Sequence, residues 1–465
     1  MSQRSTPTAA AVAQQVPRSR AVSVRSTSTL GIGLLASLLS VCGTVRADVI
    51  TDWNQAALNA ANVARYGGPA ETRLLAMVHA AMYDAVNSID RRHEAYAVDV
   101  KAAAGASMEA AAVAAAHGIL VRALPTQKSM LDSERSKSLS GIPEGHVRDS
   151  GIAVGEQVAE KLFALRKDDG SNRKVEYVFG SGPGIYQRTP PGFAAPVANQ
   201  WRFVKPFMLL NAKQFDVPPP PAIASDRFAR DFEEVREFGS KNSTARTSQQ
   251  TASAVFWVQS EMIPFSAAAR SAAAGHNNNL VDNARLFALF SMAAADAIIA
   301  GYEVKYTHSF WRPITAIRAG AVAFNSKLSA DPGWEPLITT PPHPDYPSAH
   351  CLASGAMEMV LRSFFASDKV DVTVVFPAPG ILRHYTSFSQ IAQEVVDARV
   401  WSGIHYRSAD EQGLELGHKV AQYGMTHLLR PVQTGAEASG RLHAELALPT
   451  EARTGQLNSY QPARR

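Results

Sequence analysis

The stretch that most limits this chain is Pro341-Pro342-His343-Pro344-Asp345-Tyr346-Pro347, four prolines in seven positions. Proline has no N–H and pushes the residue before it out of helical conformation, so this stretch is a rigid, extended approach. The prolines stop at Ser348, a good N-cap, and Leu352, Ala356, Met359 and Val360 then recur at helical spacing. A helix is therefore predicted to begin at Ser348 with the N–H groups of its first turn free. Those groups, the positive end of the helix dipole and the Ser348 hydroxyl together make an anion site, with His350 beside it. Taken alone, Ser-Ala-His at a helix start is weak evidence and reads first as a plain capped helix with a surface histidine.

The beginning of the chain reads differently. Residues 1–47 hold Arg4, Arg18, Arg20, Arg25 and Arg46 and no acid, followed by the apolar run Leu30–Val41. This pattern is that of a secretory signal peptide cut near Ala47, and it predicts a secreted or periplasmic protein. The net charge of +5 equals those five arginines, so residues 48–465 are neutral overall. With no basic cluster interleaved with aromatics, the composition gives no sign of nucleic-acid binding. After cleavage only Cys351 remains, so no intramolecular disulfide is available and stability must come from a hydrophobic core. No later segment reads as long and apolar enough to cross a bilayer.

Helical periodicity dominates the rest. Thr72–Val86, Ala102–Leu124 and Ile152–Leu165 are predicted helices, with His79 and Asp84 read as structural groups of the first. Gly, Pro and aromatic residues then crowd Gly180–Phe207, and Pro218–Pro221 is a short polyproline run. This long connection lies over the surface and suits a cleft wall. Phe228–Phe238, Ala284–Tyr302, Ser389–Trp401 and Ala409–Leu429 are further helices, the last opened by a capping box at Ser408-Ala409-Asp410-Glu411. Asp296 lies inside the most apolar of them. A buried carboxylate there needs a partner, either a cation of the site or solvent at the helix edge. The predicted organisation is a leader (1–47), an N-terminal helical region with the Pro/Gly-rich connection (48–245), a C-terminal helical bundle (246–430) and a tail (431–465).

Three cations accompany the histidines. Lys305 and Arg312 are seven apart, which a helix would place on one face, and Arg399 precedes His405 by six. Three converging cations with no intervening acid imply a multiply charged anion between them. Lys305-x6-Arg312-Pro313, Pro347-Ser348-Ala349-His350 and Arg399-x5-His405, in this order, resemble the three-part signature of the vanadium haloperoxidase and type 2 phosphatidic-acid phosphatase superfamily. Leu75–Asn87, Phe256-Trp257 and Phe310–Arg318 further resemble segments of the secreted bacterial haloperoxidases.

That resemblance implies an all-α fold of two helical bundles, with the site in the second. It implies one vanadate per chain, coordinated by His405, the vanadium ligand. Lys305, Arg312, Ser348, Ala349 and Arg399 are implied to bind its oxygens, and His350 to act as acid–base histidine. The implied partners are hydrogen peroxide and a halide, with Lys305 and His350 polarising the bound peroxide. His343, seven residues before His350, matches a position that is phenylalanine in chloride-oxidising relatives and histidine in bromide-oxidising algal ones. It is the halide-selectivity candidate, favouring bromide and iodide. The alternatives are a soluble periplasmic phosphatase, with His405 as nucleophile acting on a phosphomonoester, and a non-catalytic oxyanion binder. Oligomeric state is left open. Two departures stand out. Ala349 replaces the commoner glycine, and the phosphatase aspartate four residues after the last histidine is here Ala409, with the acid at Asp410.

Overall fold

The computed structural model describes residues 48–319, 324–376 and 380–432. Its first helices form one packed set. The Asp48 carboxylate caps α1 (Val49–Val63), accepting from Ile50 N and Thr51 N at 3.0 and 3.1 Å. Then come α2 (Gly68–Asp90), α3 (Met108–Ala123), α4 (Lys128–Ser140) and α5 (His146–Arg166). Alanines on α3 and glycines on α5 let these two helices approach closely. A Cβ at Gly155 would stand 2.2 Å from Ala111 O, so only glycine fits there.

The connection after α5 runs irregularly to α6 (Asp226–Phe238) and is pinned from within the core. Asp296 accepts from the backbone amides of Phe207, Met208 and Leu209 at 2.6, 2.6 and 2.8 Å. Neither a site cation nor solvent is its partner, then. It gathers amides that an irregular buried segment cannot satisfy by itself. Asp84 does the same for Tyr96, Ala97 and Val98, while His79 bonds Asn54 and stacks on Phe287; both are structural, as expected.

After α7 (Ser248–Phe256) and α8 (Met262–Gly275) comes α9 (Leu280–His308), the 29-residue axis of the molecule. It packs against α2 on one side and, on another, against the later helices, so one continuous apolar core joins the two helical groups. Contrary to the sequence reading, α9 is long and apolar enough to span a membrane, but 94% of its most apolar stretch is buried inside the protein. It is a core helix.

A short α10 (Pro313–Ala319) and the proline-rich approach lead to α11 (Ala349–Phe364). Next is an element the helical reading missed, an antiparallel hairpin of β1 (Lys369–Phe376) and β2 (Ile381–Ser387). Val370, Val372 and Val374 point inward from β1 in strict alternation. The chain ends in α12 (Phe388–Trp401) and α13 (Arg407–His427). The expected capping box does not form, because α13 starts earlier, with Tyr406 as N-cap. Asp231 of α6 accepts from Ser408 N at 3.2 Å, and Glu411 pairs with Arg227, so tertiary partners replace the local ones. The expected leader (1–47) and nearly all of the expected tail lie outside the described residues.

Candidate active site

The last turns of α9 carry Lys305, but the helix does not continue to Arg312. Ser309 turns into the left-handed region (φ 46°), and Pro313 at the head of α10 keeps Arg312 out of helical conformation. The two cations converge because the chain folds back, and not through the shared helical face their spacing suggested. Both are fully buried. Lys305 Nζ donates to the carbonyls of Pro344, Asp345 and Pro347 at 2.8, 2.9 and 2.6 Å. Arg312 donates through Nε to His343 O (2.8 Å) and through Nη1 to Ile404 O (2.7 Å). With its three hydrogens on carbonyls, Lys305 offers the site charge more than contact.

Arg399, in the last turn of α12, donates to Trp257 O at 2.6 Å, while its buried Nε has no partner. His405 follows the tight turn at Gly403, where φ is 79° and a Cβ would meet Gly239 O at 2.3 Å; glycine is required there too. His405 Nδ1 lies 2.8 Å from Asp345 Oδ1, and Nε2 lies 3.0 Å from Arg312 Nη1. Burial and Arg312 hold the imidazole well below its ordinary range, so it is neutral. Asp345, also fully buried, is pushed up to about 7 by burial against the pull of Arg312 and Lys305.

Ser348 is the N-cap of α11 as predicted, yet its hydroxyl makes no capping bond. It sits beside Asp410 and Cys351. Asp410 therefore faces α11 and leaves His405 to Asp345. His350 keeps 24% of its side chain open, and its Nε2 lies 3.5 Å from Glu261 Oε2. Burial and then Arg399 lower it well below the ordinary histidine range.

These groups surround one cavity of about 370 Å³. His343, Ala349, His350, Arg399 and His405 line it, and Lys305, Arg312 and Ser348 lie behind that lining. His343 is turned inward. It is 7% exposed, its ring 5.8 Å from Tyr302, with Nδ1 3.0 Å from Arg312 Nη2. The connection contributes Val197 and Ala198, so it does serve as a cleft wall.

Two lining carboxyls escaped the sequence reading. Glu71, in the first turn of α2, is pushed up to about 7 by burial, and Glu261, heading α8, to about 8. For Glu71 a signal existed: Leu74, Leu75 and Val78 put it on the apolar face of its helix. Glu261 had none.

Electrostatically the pocket is a cluster of cations. Lys305, Arg312 and Arg399 are each lowered from their ordinary values, by burial first, and Arg312 adds to the lowering of the other two. A multiply charged oxyanion relieves that strain, whereas a bare metal ion worsens it. Among the described residues, no group of three or more His, Cys, Asp or Glu forms a metal-ion site. The donor set, with the Arg399 Nε, the α11 amides and a neutral imidazole, fits a tetrahedral oxyanion such as vanadate.

A sequence profile of the VCPO second helical-bundle domain matches residues 285–434, the stretch that carries all three motifs. A bacterial vanadium-dependent iodoperoxidase structure superimposes with a TM-score of 0.71 at 25% identity, covering 83% of this chain and 98% of that one. In this domain and in its fold the chain is similar to the vanadium haloperoxidases. A holo-form bacterial vanadium-dependent chloroperoxidase, with a TM-score of 0.63 at 17% identity, covers 77% of this chain and 91% of that one, and shares the fold. The vanadium chloroperoxidase of Curvularia inaequalis is 26% identical; the match spans 58% of this chain and 58% of that relative's length. Beside these structures, the all-helical fold of two bundles expected from the sequence stands, with the small hairpin added to it.

Proposed function

We propose that this chain is a vanadate-dependent haloperoxidase that holds one vanadate and oxidises iodide and bromide with hydrogen peroxide. The observation that carries this reading is the convergence of three buried cations, Lys305, Arg312 and Arg399, with neutral His350 and His405 around one cavity. Bound vanadate supplies Lewis-acid activation of hydrogen peroxide toward attack by halide. Arg399 and the α11 amides bind the oxyanion, and Lys305 and Arg312 add charge from behind. His405 presents Nε2 as the coordinating nitrogen. His350 holds and moves a proton at Nε2, with Glu261 next to it. Halide, peroxide and one proton give hypohalous acid and water, so the net reaction takes up that proton.

Halide preference rests on His343. A ring buried against Tyr302 and lining the cavity adds a polar, hydrogen-bonding group where an apolar ring would dry the pocket. The likeness to an iodoperoxidase supports the same preference. Export is part of the proposal too, resting on the five arginines and the apolar run Leu30–Val41; N-terminal sequencing of the periplasmic protein tests it.

A phosphatase is the second reading, and the Asp345–His405 pair is what keeps it in play. A carboxylate against Nδ1 suits a nucleophilic histidine as well as a coordinating one. Purified chain should be assayed for iodide, bromide and chloride oxidation, and for p-nitrophenyl phosphate hydrolysis, each with and without orthovanadate. The haloperoxidase reading expects vanadate-dependent iodide and bromide oxidation. Phosphate-ester turnover that vanadate only inhibits, with no halide oxidation, selects the phosphatase.

A further inference from the structure

We propose that Asp345 is the positioning residue for His405, fixing the ring with its hydrogen on Nδ1 so that the Nε2 lone pair is the one offered to an oxyanion. The geometry comes from one residue tied to all three motifs. Asp345 N donates to Phe310 O at 2.9 Å, and its carbonyl accepts from Lys305 Nζ at 2.9 Å. Its side chain, fully buried, sets Oδ1 2.8 Å from His405 Nδ1 and 3.7 Å from Arg312 Nη1, and neither of its oxygens has an aligned donor, so the His405 ring is the nearest group that can supply one. The main chain is thus bolted to the first motif while the carboxylate reaches the third.

A neutral imidazole carries one hydrogen, and its two neighbours decide where. Arg312 can only donate, and its Nη1 lies nearer to Nε2 (3.0 Å) than to Nδ1 (3.4 Å), which favours a bare Nε2. In its ionised form Asp345 only accepts, so the nitrogen beside it then carries the hydrogen. The opposite tautomer would set a lone pair against a carboxylate and an N–H against a guanidinium N–H, two repulsions at once. Position 409, where a phosphatase pattern would supply an aspartate, is Ala409, and Asp410 is turned to Cys351 at 3.5 Å. Asp345 does that work from the opposite direction in the chain.

The consequence for vanadate rests on the function proposed above; the tautomer does not. Removing a carboxylate from beside an anion pocket has two opposed effects. It lets the ring turn, which weakens an anion bonded to Nε2, and it removes a negative charge, which strengthens any anion held by charge alone. Vanadate and inorganic phosphate therefore report separately. In calorimetry on the vanadate-free chain, Asp345→Ala should weaken vanadate binding by about 10- to 100-fold, the usual loss for a removed orienting partner, without weakening phosphate binding. Asp345→Asn, whose amide oxygen still accepts from Nδ1, should lie nearer the wild type. Nitrogen-15 NMR of histidine-labelled wild-type chain, assigned with His405→Gln, should show the Nδ1–H tautomer.

An Nε2–H tautomer in the wild type overturns the proposal, as does vanadate affinity that stays level or rises with phosphate affinity in Asp345→Ala. If Asp345→Ala does not fold, the wild-type tautomer and the Asp345→Asn affinities decide. A wild-type chain that binds phosphate but not vanadate would refute the haloperoxidase reading, and the NMR result would still judge Asp345.

Discussion

Glu261→Gln should flatten the fall in stability that this protein shows as the pH rises. Glu261 is 2% exposed and its carboxyl is pushed up to about 8, chiefly by burial. An unfolded glutamate titrates near about 4.3. A folded value above the unfolded one means the native state holds the proton more tightly. The resulting stability is fully present below about pH 4 and is lost as the pH climbs through the folded value. Between about pH 6 and about pH 9 this linkage amounts to about 3 kcal/mol for one such group. Glu71, pushed up to about 7 in the same cavity, adds about 1 kcal/mol over the same window. Chemical denaturation of the vanadate-free chain at both ends of that window measures the difference. The wild type should lose several kcal/mol, and Glu261→Gln should lose markedly less. If both fall equally, Glu261 is ionised throughout and its burial does not govern it. The same titration puts negative charge beside His350 and Arg399, so the KM for halide should rise above about pH 8 in the wild type and less in the variant.

Arg399→Ala should weaken vanadate or phosphate binding by about 2–5 kcal/mol, since it removes a buried charge from a buried anion; unchanged calorimetric affinity would take Arg399 out of the site. His405→Ala should abolish vanadate coordination, whereas His350→Ala should keep vanadate bound and slow turnover by roughly 10²–10⁴; matching behaviour of the two variants would refute the division of roles. His343→Phe should raise the chloride-to-bromide activity ratio, and robust chloride oxidation by the unmodified chain at neutral pH would refute the selectivity argument.

The helices and the gathering of the motif residues around one cavity were legible because both are written in local spacing. Apolar periodicity marks α9 and α11, and each motif places its cation or histidine within ten residues of a proline or a helix end. What stayed hidden depends on contacts between distant segments. Asp296 reads as a candidate partner for a cation, but its amide partners lie nearly ninety residues earlier, in a stretch with no periodicity. Asp345 sits within the most informative motif of the chain, yet nothing local shows that it reaches His405. Glu71 and Glu261 share a cavity with His350 only because α2 and the head of α8 both line it. The hairpin was a different failure: the alternation of Val370, Val372 and Val374 is plain, and strong helical signals on either side masked it.

The first motif is needed by the fold as much as by any bound anion. The proline-rich approach is extended and buried, and its prolines bring carbonyls without matching N–H donors. Those acceptors have to be met from outside. Pro342 O takes Val197 N, His343 O takes Arg312 Nε, and the carbonyls of Pro344, Asp345 and Pro347 all take Lys305 Nζ. Replacing Lys305 by an apolar side chain would therefore leave three buried carbonyls without a donor, at about 1–3 kcal/mol each. It would also release the segment that carries His343, Asp345 and the head of α11. Inactivity in such a variant reports on the approach as well as on the chemistry. Arg399 holds a single carbonyl and lines the cavity, so its loss reads more directly on the anion.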